Sequence, residues 1–76
     1  MKVRHGKVWE TIESANTSNS ICPACGDMAS SVGLPKVGTT SCATCLECGT
    51  TFVLSRERLP GRGGKTRVTW IETLSD

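Results

Sequence analysis

The sequence predicts a small β protein held together by one metal ion, and three observations carry that prediction. The chain has 76 residues, 37% of them hydrophobic, with two Trp, one Phe and no Tyr. A chain that short buries too little apolar surface to fold comfortably without a disulfide, a metal or a partner. It nevertheless holds five cysteines, four of them in two C-x-x-C-G units. Finally, residues 50–55 (TTFVLS) and 66–74 (TRVTWIETL) are rich in β-branched and aromatic side chains, as strands are.

Taken in order, residues 1–13 carry Val3, Val8, Trp9 and Ile12. Val8, Trp9 and Ile12 fit a short helical turn, while His5-Gly6 could instead turn a hairpin; the run is too short for either period to win. Residues 14–20 (SANTSNS) are small and polar and read as a connector. Residues 1–20 are therefore set apart as an N-terminal segment, ahead of a domain spanning 21–76. Residues 30–40 (SSVGLPKVGTT) contain two Gly and one Pro and suit a turn between strands. The strand at 50–55 follows, then the Gly- and Pro-rich loop RERLPGRGG, and then the strand at 66–74. Alternation in the last strand puts Val68, Trp70 and Leu74 on one face and Thr69, Ile71 and Thr73 on the other. Trp9 and Trp70 could stack on bases, but in a chain with three aromatics they read first as core.

An odd number of cysteines argues against a closed disulfide framework. The N-terminus MKVRHGKVWE has no apolar stretch of signal-peptide type, and no apolar run approaches a membrane span. The expected setting is a reducing, cytoplasmic compartment with no membrane partner. There, clustered cysteines are more often metal ligands than disulfides.

Cys22-Pro23-Ala24-Cys25-Gly26 and Cys45-Leu46-Glu47-Cys48-Gly49 are separated by 19 residues. That spacing matches paired C-x-x-C zinc sites, in which a two-residue gap lets a tight turn aim both sulfurs at one ion. A glycine after each second cysteine permits the sharp reversal, through positive φ, that turns backbone amides towards the thiolates. A thioredoxin-like redox pair would need a βαβ setting, which this pattern lacks. Iron–sulfur clusters use four cysteines too, but paired glycine turns suit tetrahedral zinc better. The expectation is one structural zinc on Cys22, Cys25, Cys45 and Cys48, with no open position for substrate. Cys42 competes with Cys48, since CATC is also a two-residue spacing. Gly49, mirroring Gly26, favours Cys48, which leaves Cys42 as a small buried hydrophobe in the incoming strand or, alternatively, a spare ligand or redox-sensitive thiol. His5, alone and far from the cluster, is not counted.

ICPACG, a Gly/Pro loop and TTSCATCLECGTTFVL together resemble the zinc-ribbon family, over roughly residues 21–55. The resemblance implies two zinc knuckles clamping one ion above a three- to four-stranded antiparallel sheet. The second half looks similar to ribbons of transcription elongation factors and RNA polymerase small subunits. The acidic dipeptide that stimulates cleavage in the elongation factors has no counterpart in SSVGLPKVGTT, so that role is not implied. Small free-standing proteins of this build also resemble bacteriophage regulators.

Arg56, Arg58, Arg62, Lys65 and Arg67 stand against the single acid Glu57 in 56–67. Interleaved glycines allow close approach to a phosphate chain, and arginines fork its oxygens, so this loop is the candidate RNA or DNA contact. Lys2, Arg4 and Lys7 could extend it. The alternative is a solvated loop whose charge only aids solubility. Arg67, at the start of the last strand, could instead pair with an acid such as Glu72. Function is expected in nucleic-acid binding and regulation of transcription or translation, or else in docking on a larger machine such as RNA polymerase. An enzyme is not expected: the one His has no partner, and the cysteines are committed to metal.

Overall fold

The computed structural model of the protein describes residues 3–61 and 63–75. The chain forms β1 (Val3–Ser14), β2 (Asn19–Ile21), β3 (Ser31–Gly33), β4 (Thr40–Thr44), β5 (Thr51–Arg58) and β6 (Lys65–Ser75). Four of these make one antiparallel sheet in the order β1-β6-β5-β4, and β2 and β3 make a second, two-stranded one. A four-stranded antiparallel sheet within a small all-β chain is the architecture expected from the sequence.

Residues 8–12 form neither a helical turn nor a hairpin. They belong to the long strand β1, which runs along β6 from Val3↔Ser75 to Ser14↔Lys65. The signal was hidden because Gly6 and Lys7 make a bulge: the register slips between His5 and Val8, and the Glu72 carboxylate accepts the Lys7 amide at 3.2 Å. The polar run after β1 turns at once, with Thr17 N–H donating to Ser14 O at 2.9 Å, and its last two residues already start β2.

One face of the large sheet is buried. Phe52 and Leu54 of β5 and Val68 and Trp70 of β6 are fully covered, and Val32 of β3 joins them together with Cys22 and Cys45. Trp9 packs edge-on against Phe52 at 5.6 Å, and Phe52 against Trp70 at 5.3 Å, the T-shaped geometry that aromatic quadrupoles favour. The Trp70 indole donates to the Thr11 hydroxyl at 3.0 Å. Alternation along β5 and β6 dictates this face, and it carries one polar pair inward too. Arg56 is only 5% exposed, and Thr66 is fully buried beside it. Arg56 donates from Nε to Thr66 Oγ1 (3.0 Å), from Nη1 to Pro35 O (3.2 Å) and from Nη2 to Ser14 O (2.8 Å). Thr66 in turn donates to Glu13 O at 2.9 Å, so the cluster ties β1, β5, β6 and the loop at Pro35 together. Among the described residues every buried side-chain nitrogen and oxygen has a partner.

Among the described residues no strand covers the opposite face. Val8, Ile71, Val53 and Cys42 lie in one row across all four strands of it. Cys42 is therefore exposed rather than a buried hydrophobe: it sits in β4 as expected, but on the outward side. Leu74 shares the inward parity of Val68 and Trp70 yet is partly exposed, because it lies near the end of β6.

Candidate metal centre

Each C-x-x-C-G unit folds as the same tight turn. Gly26 N–H donates to Cys22 O at 2.8 Å, and Gly49 N–H donates to Cys45 O at 2.7 Å. Both glycines have positive φ, 64° and 75°, and a Cβ on either would meet nothing within 4 Å. The demand for glycine here is thus conformational rather than steric. The first turn is anchored by Cys22 N–H to Ser30 O and the second by Cys45 N–H to Thr50 O, each at 2.9 Å.

The two turns bring Cys22, Cys25, Cys45 and Cys48 together, with all four sulfurs within 4.8 Å of one another. Cys22 Sγ lies 3.8 Å from Cys48 Sγ, and Cys25 Sγ lies 4.0 Å from Cys45 Sγ. A tetrahedron with metal–sulfur bonds of about 2.3 Å has edges of about 3.8 Å, so the sulfurs stand where one tetrahedral ion would need them. They are too far apart for disulfides, whose bond is about 2.05 Å. Ligand type and geometry fit a metal such as zinc. Cys22 and Cys45 are buried, while Cys25 and Cys48 are exposed, so the site lies at the rim of the core.

The surroundings favour thiolate on the exposed side. The Thr50 hydroxyl, 3.3 Å from Cys48 Sγ, and the Thr50 amide bring the Cys48 thiol down to about 6. The Ser30 hydroxyl and the Asp27 amide lower Cys25. Burial pushes Cys22 up to about 12, against the amides of Cys25 and Ala24. A buried thiol is costly to ionise alone, and a cation at the centre of the four sulfurs would supply the compensation. Ser30, Asp27 and Thr50 went unremarked as partners of the sulfurs in the sequence. Their signal is positional, since Asp27 and Thr50 each stand two residues after a second cysteine.

Compared with protein-family models, curated proteins and solved structures, the chain matches none of them.

The basic segment is dispersed by the fold. Arg56 is buried, with each of its three side-chain nitrogens hydrogen-bonded inside the fold, which removes it from any surface contact with phosphate. Arg67 pairs with Glu57, not with Glu72, because the two stand opposite each other on β6 and β5. That carboxylate also raises the Arg67 pKa. Arg58 and Lys65 are exposed at the facing ends of β5 and β6. Lys2 and Arg62 lie outside the described residues, as does the Arg4 side chain. The loop proper is 59–64, shorter than 56–67, and Gly61, Gly63 and Gly64 all have positive φ.

Proposed function

We propose that this chain is a zinc-ribbon-like binding module in which Cys22, Cys25, Cys45 and Cys48 hold one structural zinc ion. The reading rests on one observation above others: four sulfurs from two like turns at tetrahedral separations. Four protein ligands complete the coordination sphere, so the ion serves the fold and leaves no position for a bound water or substrate. The module then acts by binding rather than by catalysis.

The first partner proposed is nucleic acid, RNA or DNA, in a regulatory role in transcription or translation. Exposed Arg58 and Lys65, together with Arg62 of the intervening glycine loop, support it, since such a loop can lie close to a phosphate chain. Arg56 and Arg67 drop out of the contact set, being occupied within the fold. A second reading is docking on a larger protein machine such as RNA polymerase. One observation favours it: Met28, shortly after the first cysteine turn, and Leu46, within the second, are 85% and 93% exposed.

Fluorescence anisotropy with labelled single- and double-stranded oligonucleotides, at several salt concentrations, separates the two. The nucleic-acid reading predicts binding at low salt that weakens as counterions compete. No binding at low salt, with capture of a protein partner that depends on Met28 and Leu46, would replace it by the docking reading.

A further inference from the structure

β1 is a long edge strand. It pairs with β6 along one side, and among the described residues no other strand pairs with it. A row of unpaired amides and carbonyls on a strand of 12 residues is a template for another strand. Proline is absent from β1, and past the bulge the register with β6 is regular from Val8 to Ser14; the bulge and the charged side chains restrict which strand can pair there. Charge along the strand is polar in the directional sense. Lys7, the last residue of the bulge, immediately precedes this regular stretch and is exposed; exposed Glu10 and half-buried Glu13 follow it.

That order discriminates between arrangements. A parallel, in-register copy would set Lys7 on Lys7 and Glu13 on Glu13, which like charges oppose. An antiparallel copy related by a two-fold axis reverses the order and brings each basic end beside an acidic one. With the axis at Thr11, the two Thr11 residues face each other and Glu10 lies opposite Ile12 of the second copy. Lys7 is then diagonal to Glu13 of the second copy, within reach of long side chains. Ile12, 58% exposed in the single chain, gains cover in this pairing. We propose that a second copy of this chain pairs antiparallel with the β1 edge, joining two four-stranded sheets into one continuous eight-stranded sheet. The contact is isologous, so each favourable charge contact occurs twice. It is independent of the zinc reading, because β1 contains none of the cysteines.

Sedimentation equilibrium of the zinc-loaded full chain, from micromolar to millimolar concentration, tests it. A reversible monomer–dimer equilibrium is expected. Lys7→Glu and Glu13→Lys should each weaken it by about tenfold or more, since each turns two attractive contacts repulsive. Mixing the two variants should restore dimer, because both contacts in the mixed pair are then attractive. Glu13 also accepts from the Ser20 hydroxyl at 2.9 Å, so zinc content and circular dichroism accompany each variant. Hydrogen exchange on wild-type protein needs no variant: amides of residues 8–13 should gain protection in the concentrated sample relative to the dilute one. A chain that stays monomeric at millimolar concentration overturns the proposal. So does a dimer indifferent to both charge reversals, a mixture that fails to pair, or protection that arises on another strand.

Discussion

Arg56 carries the most consequential single side chain outside the metal site. Replacing it by Met keeps the length of the stem but removes all three of its hydrogen bonds, leaving Pro35 O and Ser14 O without that donor. Loss of such a buried network costs about 2–3 kcal/mol. Arg56→Met should therefore lower the urea midpoint clearly, with zinc content unchanged. The inward position was legible in principle: Phe52, Leu54 and Arg56 follow the strand alternation of β5. The basic cluster and the glycine-rich loop beside it mask that alternation, because charge points to solvent where the strand period points inward. Gly6 makes a second residue-scale case. A methyl there collides with the Glu72 carboxylate that accepts the Lys7 amide. Since that carboxylate ends a flexible side chain and can move, Gly6→Ala should cost only about 1 kcal/mol, the worth of one hydrogen bond. The readout is again a denaturant midpoint. Cys42 and Cys48 divide cleanly. Cys42→Ser, on the outward face of β4, should keep one zinc per chain by metal analysis, whereas Cys48→Ser should lose it.

At the scale of elements, β5 and β6 were readable because each carries its own local alternation. β1 was not, since a bulge interrupts its period and its partner lies at the far end of the chain. The Arg67–Glu57 pair is only ten residues apart, but it depends on the exact register of the β5–β6 hairpin, which follows from β5 running on to Arg58. The turn between β5 and β6 gives a prediction of its own. Replacing Arg58 and Lys65 together by Gln should leave the fold intact, because both are exposed. It should weaken nucleic-acid binding and reduce the salt slope by about one unit for each phosphate no longer neutralised. Arg67→Gln should change the slope little, its guanidinium already being engaged by Glu57. Anisotropy titrations at several salt concentrations compare the three proteins directly.

For the whole molecule, metal site and apolar core are contiguous. Cys22 and Cys45 are buried in the same cluster as Phe52, Leu54, Val68 and Trp70. On the proposed zinc reading, removing the ion would leave those two sulfurs without a partner charge and free the two cysteine turns. In a chain this small, metal-binding free energy is largely folding free energy. A strong chelator should therefore collapse amide dispersion throughout the sheet rather than only at the turns, and added zinc should restore it. Dispersion that survives full removal of metal would assign the stability to the aromatic core and the Arg56 cluster instead. The four-cysteine cluster was legible in the sequence because turn chemistry is local: two spacings and two glycines suffice to bring four sulfurs together. The most direct measurement is X-ray absorption at the zinc edge on the purified, metal-loaded protein. The account predicts a first shell of four sulfurs at about 2.3 Å. Nitrogen or oxygen in that shell, or fewer than four sulfurs, would contradict it.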